Sequence, residues 1–168
     1  RLILRPISFK DAESIFEYTQ LSEVSEYTSW QPHTSIKDTE DFLLNFVLPN
    51  YQKQKIAPLA VTLKTNPEKV IGTVDCGWVN KSNKVMELAY ALHSKHWGQG
   101  ITTEACQGLM NYCFKNTNVA RIQARCHSQH KASRRVMEKL GMQHEGTLKS
   151  SIEKNGQRWD MDLLAITR

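Results

Sequence analysis

The sequence predicts an α+β fold, a mixed sheet covered by helices, and three observations predict it. The apolar period is helical in the first third, switches to strand alternation over residues 58–92, and then changes back and forth. The resulting order, β-α-α-β-β-β-α-β-α-β-β, gathers strands in the middle and closes on a hairpin. The chain has 168 residues, of which 40% are hydrophobic. That suits one ordinary domain over 1–168 and leaves little room for a second.

Leu2, Leu4 and Ile7 alternate around Pro6 and read as a first strand. Asp11 is placed to N-cap a helix carrying Ile15, Phe16 and Tyr18. Trp30–Thr34, with Pro32, reads as a loop. Ser35 and Asp38 offer a second helix start, Phe42, Leu43, Phe46 and Val47 share one helical face, and Pro49 is expected to end it. Pro58–Leu63, Val70–Val79 and Val85–Leu92 then read as three strands, with Asn66-Pro67 in the first turn and Asn80–Asn83 in the second. Thr103–Phe114 follows as a helix, its Ala105, Leu109 and Cys113 one above another. In Val119–Cys126 the apolar Ile122, Ala124 and Cys126 alternate with Arg121, Gln123 and Arg125, a half-exposed strand. Lys131–Leu140 is helical, with Ala132, Val136 and Leu140 on one stripe and Gly141 positioned to end it. Asn155-Gly156 marks a tight turn between strands Gly146–Glu153 and Arg158–Thr167.

Composition excludes several classes. Lys and Arg total 22 against 17 Asp and Glu, a formal charge of +5, with a pI near 9.0. The excess suits an anionic ligand but is scattered, so nucleic acid is not expected as a partner. Its densest cluster, Lys131, Arg134, Arg135 and Lys139, also reads as a solvated helix face. No apolar run approaches the ~20 residues of a spanning helix, so no membrane partner is expected. Cys76, Cys106, Cys113 and Cys126 form no CxxC pair and read as core residues rather than a disulfide or zinc framework. Arg1–Phe9 reads as a strand, not a signal peptide, and opens without an initiator Met, so a few residues are expected before Arg1. Free thiols without an export signal point to the cytoplasm.

Lys95–Glu104 joins a strand to a helix through Gly98 and Gly100. Successive N–H groups of such a loop, running into a helix N-terminus, form an anion site suited to phosphate. Thr102 or Thr103 is placed to cap the helix. Neither the dinucleotide fingerprint nor the P-loop fits: Thr103 stands where the former needs Gly or Ala, and no Gly-Lys-Ser/Thr is present.

His96-Trp-Gly-Gln-Gly-Ile-Thr-Thr-Glu-Ala105 resembles the acetyl-CoA pyrophosphate loop of the GNAT superfamily of N-acetyltransferases. It is most similar to the RimJ/RimL-type ribosomal-protein N-acetyltransferases. Arg1–Pro6, Val70–Thr73, Glu87–Leu92, Ser133–Met142, and Asn155-Gly156 with Asp160 resemble further family segments in the right order. The resemblance implies a three-layer α/β arrangement: a mixed, mostly antiparallel twisted sheet, helices on both faces, and a V-shaped splay between the strand ending at Leu92 and the one starting near Val119. The splay would admit the pantetheine arm of acetyl-CoA, pairing with backbone groups near Leu92 and His93. The amides of Gly98, Gln99, Gly100, Ile101, Thr102 and Thr103 would hold the pyrophosphate, and His130, Lys131 and Ser133 would lie near the arm and its thiol end. The sequence departs from the family pattern at Trp97, at Thr102, at His130 (commonly Asn) and at Met137, where many members place a Tyr general acid.

The implied reaction is direct attack of a primary amine on the thioester, with an N–H near Leu92 or His93 facing the oxyanion. Glu87, on the strand face opposite Met86, Leu88 and Tyr90, is the candidate base; an outward glutamate is the plain alternative. Ser133 is the candidate acid, against the alternative of a helix-start serine. His96 is a third candidate. Tyr27, Trp30 and Pro32 are expected on the acceptor side, with the hairpin around Ile152–Arg158 opposite. His93/His96 and His127/His130 have metal-like spacing, but no Cys or carboxylate completes a set, so no metal is expected. A protein N-terminal amine is the expected acceptor. A polyamine, aminoglycoside or amino acid, or an acetyl-CoA-binding module without catalysis, remain alternatives. Either a monomer or a homodimer is compatible.

Overall fold

The computed structural model describes residues 1–52 and 57–168. β1 (Leu2–Pro6) leads through a 3-10 turn at Phe9–Asp11 into α1 (Ala12–Thr19) and the short α2 (Ser22–Ser25). Asp11 does not cap α1. Its carboxylate turns back instead, accepting from the Ser8 amide at 2.8 Å and from both Nη atoms of Arg5 at 2.9 and 2.7 Å. The residue is buried. Burial alone would push its carboxyl up, but the bonds from Arg5 and Ser8 outweigh it and hold the group below its ordinary value. A depressed folded-state value means stability that is complete above the unfolded value and is lost as pH falls through the folded one. Asp11→Ala is expected to cost about 2–3 kcal/mol at pH 7 by leaving Arg5 unpaired. Melting scans should show the gap to wild type closing below about pH 3; a gap constant down to pH 2 would refute this.

α3 (Ile36–Phe42) continues through a widened π turn at Leu43–Val47 into α4 (Leu48–Gln52). Pro49 was expected to end this helix. It is accommodated within the continuous helix because the π turn before it widens the winding, with the Leu48 N–H reaching back to Leu43 O, and so makes room for the proline ring. His33 holds this region to α1: its Nδ1 is 3.0 Å from Thr19 Oγ1 and 2.7 Å from Thr39 Oγ1.

The sheet then builds outward from β2 (Leu59–Leu63), β3 (Asn66–Asn80) and β4 (Val85–Leu92). The turn expected to hold Asn66-Pro67 lies two residues earlier, at Lys64-Thr65. Pro67 falls where the β2–β3 register shifts, so its missing N–H costs no ladder bond. Next come α5 (Ile101–Asn116), β5 (Arg121–His127), α6 (Lys131–Lys139), and the hairpin β6 (Gln143–Lys154) and β7 (Gln157–Thr167). Asn155 and Gly156 adopt φ of 53° and 74°, the left-handed pair that such a two-residue turn requires. The seven strands form an open sheet in the order β1-β2-β3-β4-β5-β7-β6, with every pairing antiparallel except β4–β5.

Each sheet face carries its own core. Ile7, Ile15, Tyr18, Leu43 and Val47 pack α1 and α3 on one side. Met86, Leu88, Leu109, Met110, Ile122 and Met137 pack α5 and α6 on the other, joined by all four cysteines, which are buried and unbridged. The stripe expected on α6 is corrected here. Ser133, Met137 and Leu140 are its buried face, whereas Ala132 is exposed and Val136 only partly covered.

Candidate active site

β4 and β5 run side by side for three residue pairs: Val85–Arg121, Met86–Ile122 and Glu87–Gln123. Beyond these the two strands separate, although each keeps its other neighbour. β3 follows β4 to the pair Gly72–Leu92, and β7 follows β5 to His127–Met161. Gly72 makes the first of these possible, because a Cβ there would stand 2.4 Å from the Ala91 carbonyl oxygen. The His93 amide donates to Ile71 O at 2.8 Å. By strand alternation, the N–H and C=O groups of Leu88, Tyr90 and Leu92 therefore face the gap. The Leu92 carbonyl is already taken by the Trp97 indole N–H at 2.9 Å, which leaves the Leu92 N–H. The His93 N–H, committed to β3, is not available to a ligand. The gap is part of a cleft of about 570 Å³.

At its mouth lies the glycine loop. Gly98 and Gly100 have φ of 74° and 75°, and α5 starts at Ile101 with Gly100 as its N-cap. Thr102 and Thr103 thus sit inside the first turn and are not caps. The first bond of the helix runs from Glu104 N to Gly100 O, so the N–H groups of Ile101, Thr102 and Thr103 have no partner within it. Gly98, Gly100 and Ile101–Thr103 line the cleft. Gln99 does not: its side chain returns to Lys95 O, and its carbonyl accepts from Arg1 Nη2 at 3.1 Å.

α6 forms the facing wall. Ala132, Arg135, Val136 and Lys139, at helical spacing, line the cleft. Arg134 instead faces away, bonded to Glu138 and to the buried Asp162, which also accepts from Thr147 at 2.6 Å. Arg135 and Lys139 of the basic cluster therefore face the cleft, Arg134 braces the helix on the sheet, and Lys131 is exposed. Ser133 is the third residue of α6 and buried, so a capping role is excluded. Its Oγ lies 2.8 Å from the Tyr90 hydroxyl, which also stands 3.1 Å from Ser133 O. Burial pushes the Tyr90 phenol well above its ordinary value, so it keeps its proton. Burial likewise pushes the neighbouring Cys126 thiol up to about 11.

Tyr27 and Trp30 close the other side of the cleft, with Ile152, Trp159 and Met161 opposite. Lys154 holds this wall in place. It is buried, and its ammonium donates to Ser25 O at 2.7 Å and Trp30 O at 3.1 Å while lying 5.5 Å from the centre of the Trp159 ring. Pro32 faces an adjoining pocket of about 520 Å³ that Glu23, Glu26 and Lys154 also line. At the closed end of the gap, Glu87 accepts from Gln123 Nε2 at 2.8 Å and from Arg125 Nε and Nη2 at 3.1 and 2.7 Å. Among the described residues, no group of three or more His, Cys, Asp or Glu side chains is arranged to hold a metal ion, and no helix is long and apolar enough to cross a membrane.

The model of the acetyltransferase (GNAT) domain matches residues 1–143. The chain belongs to the GNAT acetyltransferase family. It is similar to an uncharacterised N-acetyltransferase, p20, of Bacillus licheniformis: 28% identical over 170 aligned residues, covering 100% of this chain and 93% of that protein. A crystal structure of a GNAT-family acetyltransferase from Bacillus anthracis superimposes with a TM-score of 0.88 at 29% identity, covering 99% of this chain and 95% of that one. RimL, the ribosomal L7/L12 α-N-protein acetyltransferase solved with coenzyme A, shares the fold with a TM-score of 0.87 at 20% identity, covering 99% and 93%. The chain is an N-acetyltransferase, and its seven-stranded sheet, splayed between β4 and β5, is the GNAT architecture.

Of the expected site residues, this GNAT cleft gathers Tyr27, Trp30, Glu87, Leu92, Gly98, Gly100, Ile101, Thr102, Thr103, His130 and Ser133, and leaves out His93 and Gln99. It adds Tyr90, Arg125 and Trp159, and behind its wall Lys154, which sequence reasoning passed over. Tyr90 was visible only as one more apolar position in an alternating strand. The part played by Lys154 depends on carbonyls more than 120 residues away.

Proposed function

We propose that residues 1–168 act as one catalytic domain that moves the acetyl group of acetyl-CoA to a primary amine by direct attack, with a protein N-terminal amine as acceptor. The early end of the β4–β5 ladder carries this reading. It leaves the Leu92 N–H unpaired between an amide-rich loop and an amphipathic cleft wall. Those groups fit coenzyme A. The N–H groups of Ile101–Thr103 at the positive end of α5 suit a diphosphate, Arg135 and Lys139 add cationic charge, and Ala132 and Val136 give an apolar edge for the pantetheine arm.

Acetyl-CoA supplies an activated thioester. The protein positions it beside the acceptor, which supplies much of the rate. The Leu92 N–H donates to the carbonyl oxygen as negative charge develops there. Ser133, backed by Tyr90, returns a proton to the departing sulfur. Glu87 is less suited to act as base than the sequence suggested, because an acceptor would first have to displace Arg125. With its carboxylate engaged by Arg125, the site suits an α-amino group, whose pKa near ~8 leaves part of it neutral at pH 7, better than a lysine near ~10.4. A second reading, a cationic small amine, draws on Glu23 and Glu26 in the adjoining pocket.

Saturating acetyl-CoA, at about 100 times its Kd, should stabilise the protein by about 2.7 kcal/mol, a Tm rise of about 5–10 °C. Thiol release should then be measured with peptides bearing free or blocked N-termini, with polyamines and with aminoglycosides. Free-amine peptides are expected to turn over and blocked ones are not. Turnover of polyamines alone would favour the second reading. A Tm shift with no turnover of any amine would leave a binding module.

A further inference from the structure

We propose that His130 is the base that takes the acceptor's proton. This rests on the acetyl-transfer reading above. Continuing the Glu87–Gln123 register up both strands brings Ala91 level with His127. His130, one short turn later, stands on the β5 side of the mouth that Leu92 borders on the β4 side, and it lines the cleft. Glu87 lies five residues down the strand from Leu92, about 16 Å at ~3.3 Å per residue. An amine attacking a carbonyl held by the Leu92 N–H is out of direct reach of Glu87 and near His130.

The His130 ring is oriented but not engaged. It stacks on Tyr27 with centroids 4.6 Å apart and planes at 22°. Neither of its nitrogens has a hydrogen-bond partner among the described residues, and neither is sealed from solvent. Other histidines are committed: His33 to Thr19 and Thr39, His93 to the Lys95 amide, and His127 to the Gln129 amide. His96 belongs to the loop end of the cleft, next to Trp97. Burial holds the His130 imidazole below its ordinary value; Glu26 opposes this and His127 adds to it. Besides Glu26 and His127, the ionisable group facing it is the Tyr27 phenol, and Lys131 follows it on α6. The imidazole is therefore neutral at pH 7 and able to accept a proton.

The protons balance. The acceptor ammonium gives its first proton to His130, which passes it to solvent. The freed nitrogen bonds to the thioester carbonyl carbon. As the C–S bond breaks, the nitrogen gives its second proton to His130, neutral again after passing the first to solvent, and the sulfur takes one from Ser133, which regains a proton from solvent.

His130→Asn tests this, because it keeps a polar side chain of similar reach and removes only the basicity. The pH dependence of kcat/KM should be measured with the free-amine peptide that turns over fastest, alongside the Tm shift with acetyl-CoA. The variant is expected to keep the shift and lose about 10²-fold in kcat/KM at pH 7. Its rate should rise about tenfold between pH 7 and pH 9 as the acceptor becomes neutral and then level off, which narrows the deficit against wild type to about tenfold by pH 9.5. An equal loss at every pH, or a change confined to the KM for acetyl-CoA, would overturn the proposal, as would Glu87→Gln producing that slope while His130→Asn does not. If the wild type shifts with acetyl-CoA but acetylates no amine, acetyl transfer itself fails and the role of His130 with it. Retained transfer with an unchanged His130→Asn profile removes His130 alone.

Discussion

Replacing Gly98 and Gly100 together by alanine is expected to weaken acetyl-CoA binding about 10²-fold while barely changing the melting temperature of the free protein. Both glycines have φ near +75°. An alanine held there costs roughly 1–2 kcal/mol. The chain can relieve that strain by rotating the peptides on either side, which turns the N–H groups entering α5 away from the phosphates. Two such costs total about 3 kcal/mol, and each 1.4 kcal/mol is tenfold in affinity. Crowding is not the cause. A Cβ at Gly98 would meet nothing within 4 Å, and one at Gly100 would meet only the flexible end of Arg1 at 3.7 Å. Calorimetric titration with acetyl-CoA measures the effect. An unchanged Kd would mean that the loop does not carry the diphosphate.

Ser133→Ala is expected to lower kcat by about 10- to 100-fold with little change in the KM for acetyl-CoA. The substitution leaves the Tyr90 hydroxyl its bond to the Ser133 carbonyl, so α6 stays in place. What disappears is the hydroxyl 2.8 Å from that phenol, the only link between Tyr90 and the sulfur in the proposed chemistry. Tyr90→Phe should show a smaller loss in kcat, since solvent can reprotonate the serine more slowly. A Ser133→Ala enzyme with normal kcat and a raised KM would make Ser133 a donor-binding contact instead.

The parts of this site that the sequence disclosed are those built from neighbours in the chain. The glycine loop needs Gly98, Gly100 and a following helix within ten residues, and each was visible. The strand alternation that located Glu87 was also local. What stayed hidden depends on residues meeting from afar. Glu87 read as a free carboxylate because Gln123 and Arg125, 36 and 38 residues on, had no visible address beside it. Ala132 and Val136 looked like core because a helical stripe records apolarity, not whether protein or ligand covers it. Pro49 read as a stop because a widened helical turn leaves no compositional mark. Lys154 carried no reading of its own in the sequence, although the fold buries it against two carbonyls.

The three rungs that join β4 to β5 divide the sheet into two leaves, β1 to β4 on one side and β5, β7 and β6 on the other. Each leaf is laddered within itself. The spine between them is shorter than any other strand pairing in the protein, and the gap runs on beyond it. It is the line across the sheet that the fewest backbone rungs hold, reinforced by the Glu87 bonds to Gln123 and Arg125. Pantetheine laid against Tyr90 and Leu92 would supply the rungs that the protein omits. Donor binding would then stiffen the two leaves into one surface and draw the Tyr27–Trp30 wall, pinned to the β6–β7 leaf by Lys154, over the acceptor. The order of binding would follow from mechanics: the cofactor first, because it completes the frame in which the amine is held.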